Sequence, residues 1–548
     1  VYDFWQAAYT QHNFHFGDPA LGEVRGDLQF YAFPSPVEGT SSVFSFWNEE
    51  KQERTYHMGK AAPGEENERV IFYAYPLSSN MSSSMLVSEF WNSRFTDHTL
   101  HLWGPWEDEV STGPQFYAYS QGAMRQAGCN SDSLLVPVVG VNLGGWLLAE
   151  DWMWSAEMES KGIFDEWSLI RSYGGPDDLK AQLLMKSHWE TFVTAPDLDK
   201  LKVFGVTHVR IPIGYWLVDY DKEDGFIDGG EEYLQRVLMW LKPRGMKALL
   251  DLHALPGGQA LYQSFTGRKT FIAEFFMSQK HFERGKRAMR RLAHLILSYE
   301  KDWRTSGVVW GMELVNEPDW RYWDTSPGIR ELYEEMVPSL RKMLPADRYY
   351  LFLNFQEYPR RETSTRWLAK MLKEDPDTYE NVVYDFHQYH SFGDDNQESG
   401  SWHADEDSCK TCCRDPLLLE PLVKAKLKMA ACEYSLTTGY AGSAGFFKDF
   451  LHNQLSLWRS TPGMVGSFFW NHRILPAPMG RYREFSLLDL FEDGTLAPAK
   501  SLALVPRCPN SDLSMCPVYD EDNVAWNSDC WWRHSRSELK YSDLKKKK

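Results

Sequence analysis

Hydrophobic and polar positions follow two different rhythms along this chain. Over roughly the first 128 residues, aromatic and apolar side chains alternate with polar ones, the period-two pattern of half-buried strands. The pattern also repeats. "FWQAAYTQHNFHFG" begins at Phe4, "FWNEEKQERTYHMG" at Phe46 and "FWNSRFTDHTLHLWG" at Phe90, and each is followed by a matching strand, "FYAF" at Phe30, "FYAY" at Phe72 and "FYAY" at Phe116. Trp5, Trp47 and Trp91 are 42 and 44 residues apart, and His15, His57 and His101 keep the same spacing. Three landmarks in phase predict an all-β module over 1–128, with units of about 1–42, 43–86 and 87–128. A unit this small cannot enclose a core alone, so the three are expected to close around a pseudo-threefold axis. A trefoil-like arrangement is the first expectation and a propeller-like one the second. The recurring histidines are read as structural hydrogen-bonding groups within each unit, with three equivalent pockets as the other reading.

The rhythm changes near Cys129. Short β-branched runs at 137–143, 206–213, 247–253, 308–316, 349–354, 382–389, 428–433 and 464–470 now alternate with helical stretches, such as 231–244 with Leu234, Val237, Leu238 and Leu241 on one face. Eight strands separated by helices predict a parallel sheet closed into a (β/α)8 TIM barrel over 129–500. A doubly wound open sheet is the alternative. The segment 501–548, rich in Pro, Cys and Trp, is expected to be a cross-linked tail packed on the barrel.

Composition narrows the partners. Of 548 residues, 15% are aromatic, with 23 Trp, a surplus that suits a protein handling the C–H faces of sugar rings. The net charge of −18 argues against nucleic acid and against an anionic membrane, because both reward a basic face. The basic run Lys545–Lys548 reads as a solvated tail. No apolar run is long enough to span a bilayer, and no signal pattern opens the chain. The first residue is Val1 rather than Met, which fits removal of a leader and a secreted, extracellular protein. The eight cysteines, Cys129, Cys409, Cys412, Cys413, Cys432, Cys508, Cys516 and Cys530, read as disulfides in an oxidising compartment. Zinc at Cys409 and Cys412 is the rival, but no second ligand pair lies at zinc spacing. Asn80-Met81-Ser82 is an acceptor triplet for N-glycosylation.

In a barrel of this kind the chemistry gathers at the C-terminal strand ends. Polar residues punctuate those ends here: Arg210, Asp251 and His253, Asn316-Glu317, His387 and Tyr389, Glu433, and Trp470-Asn471. Glu317 and Glu433 close the fourth and seventh strands, on opposite sides of the mouth. Two such carboxyl groups can cleave a glycosidic bond, one protonating the leaving oxygen and the other ionised. A separation of roughly 5–5.5 Å makes the second a nucleophile with retention, and roughly 6.5–9.5 Å admits a water and inverts. The taken-together surroundings must push the two pKa values apart.

The motifs "NLGGWLLAEDWM" (142–153), "VRIPIGYW" (209–216), "DLHALPGGQ" (251–259), "ELVNEP" (313–318), "DFHQYH" (385–390), "CEYS" (432–435) and "SFFWNHR" (467–473) resemble glycoside hydrolase family 5, and within it the fungal exo-β-1,3-glucanases. The resemblance implies Glu317 as acid/base and Glu433 as nucleophile of a retaining β-glycosidase acting on β-glucan. It implies that Asn316 binds the sugar 2-hydroxyl, that Arg210 and Tyr389 hold the nucleophile, and that His253 and His387 line the pocket. Trp470 would be the platform under the sugar, and Asn142, Trp146 and Glu150 would close the subsite floor. No metal or organic cofactor is required. Two segments depart from the fungal pattern, "GGQALYQSFTGRK" (257–269) and a charged, Cys-rich insertion at 391–415. The rival class is a carbohydrate-binding or matrix protein that kept the barrel without hydrolysis, and transglycosylation would use the same residues. The N-terminal repeats are expected to be a spacer or to contact polysaccharide.

Overall fold

The computed structural model describes residues 2–6, 11–15, 23–28, 32, 40–48, 53–78, 85–92, 97–101, 109–118, 137–154, 158, 161–357, 361–390, 411, 414–437, 444–475 and 483–496. Every cysteine except Cys432 lies outside these residues, as do the Asn80 triplet, most of the 391–415 insertion and the 501–548 tail. The chain forms two compact units whose boundary in sequence falls between Leu135 and Val136.

The first unit is all-β. Its strands are β1 (Tyr2–Gln6), β2 (Gln11–His15), β3 (Glu23–Leu28), β4 (Ser41–Asn48), β5 (Glu53–Met58), β6 (Glu65–Ala74), β7 (Met85–Asn92), β8 (Asp97–His101) and β9 (Glu109–Ala118). They form three antiparallel sheets of identical topology, β2-β1-β3, β5-β4-β6 and β8-β7-β9. The repeat seen in the sequence is therefore a repeat of backbone pairing: Phe4, Phe46 and Phe90 stand opposite Asn13, Thr55 and Thr99 at the same register position. No ladder joins one unit to the next among the described strands, but the equivalent strands β2, β5 and β8 meet pairwise, as a threefold grouping requires. Val43, Tyr56, Phe72, Val87, Leu100 and Phe116 are buried together, and Phe72 meets Phe116 edge-on at 5.5 Å. His57 bonds Glu65 Oε2 at 3.0 Å and stacks on Phe46, a structural role inside its own unit.

The second unit is a closed parallel barrel of β10 (Val138–Asn142), β11 (His208–Gly214), β12 (Lys247–Ala254), β13 (Val309–Glu313), β14 (Tyr350–Asn354), β15 (Val382–His387), β16 (Met429–Tyr434) and β17 (Met464–Phe469), with β17 pairing back onto β10. Helices between the strands bury their apolar stripes on its outside. The helix Gly230–Leu241 does so through Leu234, Val237, Leu238 and Leu241. Each strand lies within a residue or two of its expected span except β13. β13 leaves the sheet after Glu313 rather than Asn316, and the segment that follows turns at Glu317, while β15 ends at His387 rather than Tyr389.

Alternate residues of a barrel strand face inward. The interior is apolar at one level, where Leu249, Phe352, Val383, Ala430, Cys432 and Phe468 pack together. Phe468 can fill this space because residue 140 is glycine; a Cβ there would lie 2.2 Å from its ring. Two residues further along several strands, the inward position turns polar: Leu249 gives way to Asp251, Phe352 to Asn354 and Val383 to Asp385, all with no exposed surface. The apolar layer is thus a plug with a hydrogen-bonded polar layer above it, at the C-terminal strand ends.

Candidate active site

Arg210 organises the polar layer. Its Nη1 donates to Glu433 Oε1 at 2.8 Å and to Asn142 Oδ1 at 2.9 Å. Nε and Nη2 take both oxygens of Glu313, at 2.7 and 2.9 Å, and Nη2 also reaches Asn316 Oδ1 at 2.8 Å and Asp251 Oδ2 at 3.0 Å. Burial opposes the guanidinium charge, but the carboxylates of Asp251, Glu313 and Glu433 more than offset it. A fully buried cation is tolerable only with such complete pairing.

Glu317 sits on the loop after β13 with φ +40°, a left-handed conformation that costs a non-glycine residue roughly 1–3 kcal/mol. Gln259 braces this turn from the neighbouring loop: its Nε2 donates to Asn316 O at 2.9 Å and to His253 O at 2.7 Å, and its carbonyl accepts from Asp319 N at 3.0 Å. The loop 257–269 is therefore tied to the site through a fully buried glutamine.

Glu317 and Glu433 converge on His387. Nδ1 of that ring lies 2.6 Å from Glu317 Oε1 and 3.3 Å from Glu433 Oε2, and one oxygen from each carboxyl group lies within 4.8 Å of the other. Tyr389 donates its hydroxyl hydrogen to Glu433 Oε2 at 2.8 Å. Glu433 is nearly enclosed, with 7% of its side chain exposed, whereas Glu317 shows 27% to the cleft. Burial raises Glu433 above the ordinary carboxylate range despite His387 and Arg210. Burial also pushes Glu317 upward, but the hydrogen bond and charge of His387 outweigh it, with His253 and Arg210 adding, and hold Glu317 low. The low position of Glu317 depends on His387 carrying a second proton, whereas that same charge opposes the rise of Glu433.

The remaining expected residues separate into two groups. His253 bonds Asp251 Oδ2 at 2.5 Å and lies parallel to Trp470, with ring centroids 5.6 Å apart. The chain can pass close to Trp470 because residue 144 is glycine; a Cβ there would lie 2.5 Å from the indole. Glu150 is buried and hydrogen-bonded to the Trp152 indole at 2.9 Å. Burial, with Glu433, Asp151 and Glu317 adding, raises it to about 8, so it is a neutral acid beside the carboxylate pair. Asn142 lies beneath the floor, donating to Cys432 O at 2.9 Å and accepting from Arg210.

Trp146 is displaced from its expected place. The chain turns through Gly145 at φ +70°, and the indole points to the outer helices, donating to Trp189 O at 2.9 Å with 1% exposure. It belongs to the core and not to a subsite. Conversely, Glu313, Asn354, Asp385 and Gln259 surround the site without having been singled out. Their signal is inward parity, two residues beyond an apolar interior position for Asn354 and Asp385.

Glu317, His387 and Glu433 could also chelate a cation, as could Glu313, Asp385 and His387, each set offering ligand atoms within 4.8 Å of one another. Glu313 already gives both oxygens to Arg210, and the 2.6 Å contact between His387 and Glu317 is a hydrogen bond. These lengths suit a shared proton.

Residues 180–417 match the family described as Cellulase (glycosyl hydrolase family 5). That match places a glycosyl hydrolase family 5 domain over residues 180–417. The chain is 32% identical over 257 residues to a "Probable glucan 1,3-beta-glucosidase A" of Neosartorya fischeri, covering 46% of this chain and 56% of that protein. It is 34% identical over 190 residues to a "Glucan 1,3-beta-glucosidase" of Blumeria graminis, covering 33% of this chain and 41% of that protein. The chain thus spans about half the length of the curated relatives it matches. Among solved structures, the rutinosidase from Aspergillus niger superposes with a TM-score of 0.52 at 20% identity, covering 66% of this chain and 98% of that one, a likeness of fold.

Proposed function

We propose that the family 5 barrel is a retaining β-glycosidase acting on β-1,3-linked or related β-glucan, with Glu433 as nucleophile and Glu317 as acid/base. The observation that carries this reading is the approach of the two carboxyl groups to within 4.8 Å. So close an approach of one oxygen from each group suits the short separation of a retaining pair, roughly 5–5.5 Å, better than the roughly 6.5–9.5 Å of an inverting one. A Glu433 oxygen attacks the anomeric carbon as its bond to the glycosidic oxygen breaks, and Glu317 gives its proton to that departing oxygen. Water then attacks the glycosyl-enzyme, giving a proton to Glu317 and releasing Glu433 and the sugar. Arg210 and Tyr389 keep the Glu433 charge in place. Asn316 binds the sugar 2-hydroxyl, His253 and Trp470 form one wall, and Glu150 adds a neutral acid group.

The printed names of the curated relatives support β-1,3-glucan as substrate. Cysteine usage supports an extracellular setting. Polysaccharide contact through the N-terminal module is part of the same proposal, supported by half-buried Trp47 and Trp91 at equivalent positions, facing Arg54 and His98 across their strands.

The test is hydrolysis of an aryl β-glucoside and of laminarin-type glucan by the purified protein, followed by NMR. The expected first product is the β-anomer, and Glu433→Gln is expected to abolish turnover while the fold is kept. Absence of turnover by the wild type, an α-anomer as first product, or full activity in Glu433→Gln would overturn the reading.

A further inference from the structure

His387 meets a different kind of partner at each ring nitrogen. On the Nδ1 side are the two carboxyl groups. On the Nε2 side, Asn354 Nδ2 lies at 3.0 Å and Asp385 Oδ2 at 3.5 Å. The orientation of the Asn354 amide follows from its other neighbours. Its Nδ2 is 2.6 Å from Asp385 Oδ2, an acceptor, and its Oδ1 receives the Gln356 Nε2 hydrogen at 3.1 Å. The second Asp385 oxygen is an acceptor too, taking Cys432 N at 3.2 Å. An amide nitrogen has two hydrogens. One goes to Asp385 and the other points at His387 Nε2, which must then be the lone-pair side of the ring.

We infer that Asn354 is a positioning residue that keeps His387 neutral, with its single hydrogen on Nδ1 and directed at Glu317 Oε1. The surrounding charges work against this. Glu313 and Glu317 from the β13 segment, Asp385 from its own strand and Glu433 from β16 all face the ring, while burial of the ring and the Arg210 guanidinium paired to Glu433 and Glu313 stand against them. Charge alone would place a second proton on Nε2, and the Asn354 donor occupies that position. The consequence falls on the acid. A neutral imidazole donating to Oε1 lets Glu317 carry its proton on Oε2, free for the glycosidic oxygen. An imidazolium in the same place holds Glu317 ionised, and a carboxylate cannot act as the acid. The tautomer set at Asn354 therefore removes the charge that would hold Glu317 ionised. Asn354 has no exposed surface and touches neither carboxyl group of the catalytic pair in this arrangement, so it acts through His387. This inference rests on the glycosidase reading and on Glu317 as its acid.

The test compares two substrates, 2,4-dinitrophenyl β-glucoside, whose leaving group needs no proton, and phenyl β-glucoside, whose leaving group does. Asn354→Asp places an acceptor at Nε2 and calls a proton there. Its kcat/KM is expected to fall about 100-fold on the phenyl glucoside and about threefold on the dinitrophenyl glucoside. The alkaline limb of the phenyl profile should move down by about one pH unit. Equal losses on both substrates with an unmoved alkaline limb would overturn the inference. Should Asn354→Asp fail to fold, Gln356→Ala, which unlocks the amide oxygen and leaves Asn354 in place, is expected to show the same leaving-group dependence more weakly; its absence would equally overturn the inference. Wild-type protein that turns over neither glucoside would instead defeat the glycosidase reading itself.

Discussion

Arg210 reaches Glu433 through a single nitrogen, Nη1 to Oε1 at 2.8 Å, because Glu313 holds the opposite edge of the guanidinium with both of its oxygens. The cation is thereby aimed. A lysine, with a point charge on a flexible stem, could not satisfy both carboxylates in this geometry.

Glu313→Gln should therefore impair catalysis without touching substrate. The amide offers one acceptor where two were used and turns a donor toward the guanidinium. The expected outcome is a fall in kcat/KM of about 100-fold with a loss of about 3 kcal/mol in stability, since the buried guanidinium loses one of its three carboxyl partners. Steady-state kinetics and denaturant unfolding on the same preparation check both.

Tyr389→Phe removes one hydrogen bond to the reactive carboxylate and nothing from the barrel interior. A hydrogen bond to a charged group contributes about 1.5–3 kcal/mol, so kcat should drop roughly 10- to 100-fold while the melting temperature stays near the wild-type value. Kinetics that match the wild type would show that this hydroxyl does not act on Glu433 during turnover.

Trp146→Phe tests the displaced tryptophan. Its indole is enclosed and bonded to Trp189 O. The smaller ring should leave a cavity and an unpaired carbonyl, lowering stability by about 1–3 kcal/mol with KM unchanged. A raised KM at unaltered stability would return Trp146 to the sugar site.

The strands and the residues at their ends were legible because burial forces apolar runs and a barrel exposes one end of each. His253, Asn316, Glu317, His387, Tyr389, Glu433 and Trp470 stand at or just past strand ends, where sequence reading can reach them, and Arg210 was legible as a charge inside an apolar strand. Asn354 and Asp385 were harder to read. Asn354 ends β14 and Asp385 stands opposite it in β15, and which face each presents follows from the closure of the barrel, which no pattern of residue types reveals. The direction of Trp146 depends on one left-handed glycine, Gly145, within a run that otherwise resembles the family motif. In the N-terminal module the repeat was evident from spacing alone. That its first strand lies at the centre of each sheet was not, because spacing does not say which strands pair.

Glu166 predicts how stability responds to alkali. Its side chain has no exposed surface; one oxygen accepts from Ala149 N at 2.7 Å, and the other has no hydrogen-bond partner. Burial raises it from 4.5 to about 8, with the Ala149 hydrogen bond pulling back and Asp165 adding to the rise. A carboxyl group whose folded pKa is raised binds its proton more tightly when folded. Its contribution is fully present below the unfolded value near 4.5, is lost as pH rises through the interval to about 8, and changes no further above that. Across that window the linkage amounts to roughly 1.4 kcal/mol per pH unit. Glu166→Gln keeps the shape and an acceptor for Ala149 N but removes the titration. The expected result is a smaller fall in melting temperature between pH 5 and pH 9 than in the wild type, by several degrees. Glu150 and the buried histidines titrate alike in both proteins, so their effects cancel in the difference. Parallel melting curves for the two proteins across that range would show that Glu166 does not titrate on folding.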